Sequence, residues 1–292
     1  MFGRRSDGKE LKNVSPIFRL MPIIMKERND SQVYFNQDIV TKKTEEYISM
    51  KAKEGIKITI LDILFASIVR VIAERPKINR FAINGRIYSR NKITLAMTIK
   101  KSLTDEGEET SIKVDFDGTE NLFEVKEKLQ TIIAQNKDLD ASNGTDKLAG
   151  FLAKIPTGIL KFAVGVLKFL DKRGYLPKKV IEASPFHASA VVTNVGSLGI
   201  DAIYHHIYNF GTISMFFAIG KKKKSYVFEE DEIYKEKCIN VAFVGDERIC
   251  DGHYYVASFR SLVRYFTHPE LLEQASNNIN VDPELKKEKL TI

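Results

Sequence analysis

The chain has 292 residues, 43% apolar and 10% aromatic, enough to build a full hydrophobic core, so disorder is excluded as the default reading. Lys and Arg number 45 against 38 Asp and Glu, a net charge of +7. That excess suits an anionic ligand, but zinc-finger spacing, a basic heptad helix and an RNA-recognition strand are all missing, so no nucleic-acid partner is expected. Cys238 and Cys250 both sit among apolar neighbours, which argues against a secreted disulfide framework and for a reducing, cytoplasmic setting.

The start, MFGRRSDGKELKNVS, is charged with no apolar stretch directly behind it, so no export signal is expected. Residues 33–39 (VYFNQDI) read as a strand, and Thr41 to Lys53 as a helix broken at Gly55. The next helix is better defined. Thr59 and Asp62 have capping-box spacing, apolar residues follow at Ile60, Leu64, Ile68, Val71 and Ile72, and Pro76 ends the run. Its apolar face is expected to lie on a sheet.

Phe81 to Ile99 holds β-prone runs, with Asn84-Gly85 supplying the tight turn of a hairpin. Beyond the acidic loop Thr104 to Glu109, Ser111 to Phe116 reads as another strand. Leu122 to Asn136 has helical periodicity, and the polar stretch 137–146 follows it.

Leu148 to Leu170 is rich in Leu, Ile, Phe, Val and Ala but is interrupted by Lys154, Lys161, Lys168 and Pro156. Each lysine costs about 2.5 to 3.5 kcal/mol at a bilayer centre, so a membrane span is excluded. With Lys147 these lysines recur every seven residues and form a cationic row along one helix face. The apolar face has two readings, packing on a sheet or subunit interface, or resting on an anionic membrane surface. The first is the usual fate of such helices and is favoured here over peripheral membrane contact.

Ala188 to Val244 reads mainly as β structure, Tyr254 to Phe266 as a closing helix, and Ser276 to Ile292 as a polar tail after a domain over residues 1–275. Strands and helices mix in both halves without repeats, which predicts one α/β domain around a large mixed sheet.

The densest chemistry lies in NVAFVGDERICDG, residues 240–252, where an apolar strand runs into charged residues and then a helix. DERICDG resembles the DHRxxDG signature of the catalytic domain of 2-oxo acid dehydrogenase acyltransferases, with Asp246, Arg248, Asp251 and Gly252 in register. It also resembles the HHAVCDG segment of chloramphenicol acetyltransferases, through Cys250, Asp251 and Gly252. Glu247 falls on the histidine.

Three further segments match in order. TILDILFASIVRVIAERPKIN resembles the family helix before the first hairpin, and SAVVTNVGSLGI the TxTxSNxG strand, with Thr193 on the hydroxyl position and Asn194 and Gly196 matching. MFFAIGKKKK resembles the strand before the last hairpin.

The resemblance implies an α/β, chloramphenicol-acetyltransferase-like two-layer sandwich with a large mixed sheet. It also implies a homotrimer and a reaction with acyl-CoA as co-substrate and no covalently bound cofactor. The acceptor would be a thiol, hydroxyl or amine on a small molecule or a protein. The family's lipoyl and subunit-binding domains are not expected in this chain. In the family a histidine takes the acceptor's proton, and a hydroxyl of the neighbouring subunit holds the oxyanion.

Carried onto this sequence, Glu247 stands at the base, Thr193 at the oxyanion, and Asp251 orients the base loop by pairing with an arginine, for which Arg19 is a candidate. An ordinary Glu is roughly two pKa units less basic than His, a handicap of about 3 kcal/mol that only burial would offset. The alternative is therefore a non-catalytic oligomeric binding or scaffolding module.

His253, at the start of the last helix, is a second candidate base, and at most one of His205 and His206 is expected on a cleft. Cys250 is read as core rather than as a nucleophile. Lys221 and Lys222, with Asn194, are the candidates to bind the CoA phosphates. The competing reading places Lys221 to Lys224 and Glu229 to Glu232 on one hairpin, neutralising each other. No metal-ligand spacing is present.

Overall fold

The computed structural model describes residues 5–100, 109–137, 150, 152, 154–229 and 232–286. A short strand β1 (Gly8–Glu10) leads into helix α1 (Pro16–Ile24), a 3₁₀ turn over Arg28–Ser31 and strand β2 (Gln32–Val40). Helix α2 (Lys42–Lys53) ends before Gly55, whose φ of +81° lies in the left-handed region.

Helix α3 (Ile60–Glu74) begins at the predicted capping box. The Thr59 hydroxyl accepts from the Asp62 amide, and the Asp62 carboxylate accepts from the Thr59 amide. This helix is apolar nearly all round and is buried continuously from Asp62 to Ala73, so it forms the centre of the helical layer.

Strands β3 (Arg80–Ile83) and β4 (Arg86–Arg90) are joined by Asn84-Gly85, both with positive φ (52° and 72°), as a two-residue hairpin turn requires. They form a small sheet of order β1-β4-β3. The chain continues through β5 (Ile93–Lys100), β6 (Glu109–Phe116), α4 (Leu122–Lys137), α5 (Thr157–Arg173) and α6 (Lys178–Ala183). It then forms β7 (Ala190–Asn194), the long hairpin β8 (Met215–Glu229) and β9 (Glu232–Asp246), and helix α7 (Gly252–Thr267).

The large sheet has order β2-β9-β8-β7-β5-β6. β7 runs parallel to both neighbours and every other pair is antiparallel, so the sheet is mixed as expected. One face carries α3, α4 and α7 over a core that includes Phe65, Phe116, Leu129, Val192, Phe217, Val241 and Phe266. Removing one of these phenyl rings costs about 3 to 5 kcal/mol. Among the described residues the opposite face has no helical layer of that kind. Ala96, Phe216, Ala218, Ala242 and Val244 are covered there by residues that include Ala188, Ile207 and Ile213.

Four expectations need correction. The amphipathic helix starts after Pro156 and runs on to Arg173, where Gly174 at φ +75° ends it; residues 148, 149, 151 and 153, with Lys147, lie outside the described residues. It does not lay its apolar face on the sheet, since Ile159, Phe162, Val166 and Phe169 are exposed. Residues 199–214 hold no strand, so the β reading from Ala188 onward is interrupted between β7 and β8.

Residues 276–286 are docked rather than trailing. Ser276 and Asn280 bond to Glu74, and Asp282 is buried against Arg80 at 2.6 Å. Residues 104–108 of the acidic loop and 138–146 of the polar stretch lie outside the described residues.

Candidate active site

Two parts of the sheet gather the residues singled out by sequence. The first is the loop after β9. Asp246 ends the strand with its amide donating to Ser214 O at 2.9 Å, and the Glu247 amide donates to Ser31 O at 2.9 Å, so the turn is stitched to β8 and to the 3₁₀ turn before β2.

The Asp246 side chain is wholly buried and accepts from Arg248 Nε at 2.8 Å, Arg248 Nη2 at 2.7 Å and Ser31 Oγ at 3.0 Å. Arg28 lies 3.4 Å away on the other oxygen and donates to Tyr208 O and Ala82 O. Two guanidiniums on one carboxylate leave a buried positive surplus. Burial, reinforced by Arg248, lowers the Arg28 pKa to about 10 despite Asp246.

The carboxylate that pairs with arginine at this loop is therefore Asp246, where Asp251 was expected. Asp251 is exposed and caps α7, accepting from the Tyr254 amide at 2.7 Å, and Arg19 is exposed on α1. The assignment of an Asp251–Arg19 pair is thus replaced by Arg28–Asp246–Arg248. A buried ion cluster drawn from both ends of the chain leaves no local pattern, and Asp246 was matched to the signature without a role.

Glu247 itself is half-buried, and its side chain forms no hydrogen bond or ion pair among the described residues. One chain does not give it the enclosure that a basic carboxylate needs. His253 is exposed on the first turn of α7. Cys250 is core, as read from the sequence. It is 1% exposed, and burial pushes its thiol well above the ordinary range.

The second part is the far end of β7. Thr193 and Asn194 lead into a 3₁₀ turn over Val195–Leu198 that presses on β8, so closely that a Cβ on Gly196 would stand 2.4 Å from Gly220 O. That close approach explains why the NxG pattern needs glycine here.

On the uncovered face Thr193 borders a groove of about 750 Å³, lined mainly by apolar side chains such as Met97, Val191, Leu198, Ile203 and Phe216. His205 also lines it. Its ring stacks on Phe216 (4.4 Å between centroids) and on His206 (4.8 Å), with Nδ1 2.8 Å from the His206 carbonyl. A carbonyl oxygen only accepts, so Nδ1 is the donor in this contact. The two histidines do not alternate faces as on a strand, because their segment is irregular.

Next to the groove, Asn194, Lys221 and Lys222 line one cavity of about 300 Å³ together with Thr59 at the start of α3. The predicted phosphate-binding residues are therefore brought together, although Lys222 also pairs with Glu45 at 2.8 Å. Both charge runs lie on the β8–β9 hairpin, as the competing reading expected, but Lys222 and Lys223 take their carboxylates from outside it. Lys223 pairs with Asp38, Lys237 joins Lys222 on Glu45, and Glu230 and Asp231 lie outside the described residues.

The register separates the two parts. Thr193 pairs with Ala218, and Ala218 with Ala242, whereas Glu247 lies five residues beyond Ala242 along β9. At strand rise this is an offset of about 16 Å along the strands, to which two strand spacings add roughly 10 Å sideways, too far for the two side chains of one chain to share a proton or a carbonyl carbon.

Residues 183–273, which carry both parts, match the family model 2-oxoacid dehydrogenases acyltransferase (catalytic domain). The chain has the fold of these acyltransferases. A probable dihydrolipoamide acetyltransferase from Listeria monocytogenes superposes over 93% of this chain and 99% of its own, with TM-score 0.54 and 13% identity. The cubic core of a pyruvate dehydrogenase multienzyme complex does so over 89% and 93%, with TM-score 0.51 and 12% identity.

A chloramphenicol acetyltransferase covers 88% of this chain and 98% of its own, with TM-score 0.52 and 11% identity. No curated protein matches by sequence. The resemblance carried by DERICDG and its companion segments, and the two-layer fold it implied, are borne out.

Proposed function

We propose that this protein is a CoA-dependent acyltransferase whose site is completed by a second subunit, Glu247 of one chain facing Thr193 of the next in a homotrimer. The observation that carries the reading is the apolar groove bordered by Thr193, which is offset along the strands by about 16 Å from the Glu247 of its own chain. A groove of that character suits an acyl chain, and the separation suits a site shared across an interface.

In the reaction the acceptor thiol, hydroxyl or amine gives its proton to Glu247 as it attacks the thioester carbonyl. The Thr193 hydroxyl donates to the resulting oxyanion. The tetrahedral intermediate collapses, the C–S bond breaks, and the proton returns to the departing CoA thiolate. Lys221, Lys222 and Asn194 would hold the phosphates of CoA beside the groove.

His205 is a second reading of the base, favoured by its Nδ1–H bond to the His206 carbonyl and its place on the wall of the same groove as Thr193. Acyl-CoA binding by calorimetry and transfer to a panel of thiols, alcohols and amines test the function. Turnover lost in Glu247→Gln but kept in His205→Asn supports the shared site. The converse moves the base to His205, and absence of both acyl-CoA binding and turnover removes the enzyme reading in favour of a binding module.

A further inference from the structure

We propose that α5 lies on an anionic membrane surface and seats the protein on lipid, through an exposed apolar stripe flanked by a row of lysines. The stripe is made by Ile159, Phe162, Val166 and Phe169, exposed by 61%, 74%, 39% and 52%. Their spacing of three, four and three residues puts them on one side of the helix, about 15 Å from end to end. Tyr175, 51% exposed just past the C-cap, follows the stripe in sequence with an aromatic ring suited to the headgroup level.

The opposite side faces the protein and is pinned there. Asp171 is buried, with Arg5 Nη1 2.9 Å and His187 Nε2 3.2 Å from its carboxylate, and its backbone carbonyl accepts from Arg5 at 2.6 Å. The helix cannot roll its apolar side inward without breaking that anchor.

Lys161, Lys168 and Lys172 form an exposed row alongside the stripe. The strip between row and stripe holds Gly158 and Gly165, each with open space where a Cβ would be. From residue 154 to 182 there are seven cations (Lys154, Lys161, Lys168, Lys172, Arg173, Lys178, Lys179) and two carboxylates. Of these carboxylates, Asp171 is buried and Glu182 lies 3.6 Å from Lys178.

An apolar stripe bordered by the exposed row of Lys161, Lys168 and Lys172 complements lipid tails beneath negative headgroups. A second copy meeting this face symmetrically would bring two lysine rows together. Lysine stems can lie along the stripe and carry their charges to the headgroups. No helix among the described residues is long and apolar enough to cross a membrane, so the contact is one of lying on the surface.

The chain contains no tryptophan, so Phe162→Trp places a sole indole on the stripe. Its emission is expected to shift to the blue with mixed phosphatidylglycerol–phosphatidylcholine vesicles and to stay unchanged with pure phosphatidylcholine. In the same background the triple variant Lys161→Gln, Lys168→Gln and Lys172→Gln is expected to weaken binding by about five-fold per lysine, with the loss shrinking at high salt. Lys12→Gln, Lys53→Gln and Lys57→Gln together, exposed elsewhere, are expected to change it far less.

No shift with anionic vesicles overturns the proposal, as does equal binding to neutral ones or an equal loss in the control triple. A Phe162→Ser, Phe169→Ser variant that dissociates the oligomer while keeping vesicle affinity assigns the stripe to a subunit contact instead. None of these outcomes depends on acyl transfer.

Discussion

Where β9 stops, Asp246 is buried with Arg28, Arg248 and Ser31, Arg80 is buried with Asp282, and the backbone of the turn is bonded to Ser214 just before β8 and to Ser31 in the 3₁₀ turn before β2. Where β7 stops, Thr193 and Asn194 open on a groove and a cavity, and the side chains around them are apolar or meet solvent. One end of the sheet is locked by charge in a dry interior, and the other is left free to receive a ligand. Rigidity at the first end fixes the position of Glu247 without using Glu247 itself, while Thr193 is placed by strand pairing alone.

Substitutions at the two ends should therefore separate stability from activity. The largest effect is expected for Asp246→Ala, which leaves Arg28 and Arg248 buried without their carboxylate. A loss of about 3 to 5 kcal/mol in chemical denaturation is predicted. A loss below 1 kcal/mol would show that the charged end is not a lock. Thr193→Ala is expected to do the reverse, lowering turnover by about a hundred- to a thousand-fold, or roughly 2.7 to 4 kcal/mol, with an unchanged unfolding midpoint. Thr193→Ser should retain most of the rate because it keeps the donor.

Acid sharpens the same contrast. Burial would raise the Asp7, Asp171 and Asp282 carboxyls, but hydrogen bonds and charge from Arg5 (Asp7), from Arg5 with His187 (Asp171) and from Arg80 (Asp282) hold them below the ordinary 3.8. Their contribution is complete above that value and is lost as pH falls through the lowered values. His187 is held below 6.5, chiefly by burial against the pull of Asp171. The unfolded chain takes up that proton more readily, so stability begins to fall as pH drops below about 6.5. Denaturation curves across this range should show a first decline there and a steeper one below pH 4. His187→Asn should remove the first.

The smallest effect is expected at the open end, where Thr59→Ala removes one half of the α3 capping box. About 1 kcal/mol is predicted from thermal unfolding.

The legible parts of the fold were those written in neighbouring residues. Thr59 and Asp62 marked the start of α3, Asn84-Gly85 marked the hairpin, and DERICDG marked the end of a strand and the cap of a helix. Pairs joined only by tertiary packing left no such mark. Arg28 with Asp246 and Arg80 with Asp282 connect segments far apart in sequence, and the orienting role was consequently given to Asp251, whose own sequence position signals only a cap.

The helix of Thr157–Arg173 is legible in its composition, but of the two packing partners expected for its apolar face the sheet is not the one it covers. Periodicity shows that a face is apolar, whereas the anchor at Asp171 decides which way that face points. For the candidate site, Thr193, Asn194, Lys221 and Lys222 were found by pattern and do share one region. His205 was weighed as a strand residue, and its stacking on Phe216 depends on a loop that no local signal describes.

The shared site is tested most directly by mixing inactive subunits. Thr193→Ala and Glu247→Gln proteins, each expected to be inactive, are unfolded together and refolded as mixed oligomers. If each site takes Thr193 from one chain and Glu247 from the next, about one site in four is intact and activity returns to that extent. Mixed oligomers that stay as inactive as their parents, or a Glu247→Gln protein that is active alone, would contradict a site built between Thr193 and Glu247 of neighbouring chains.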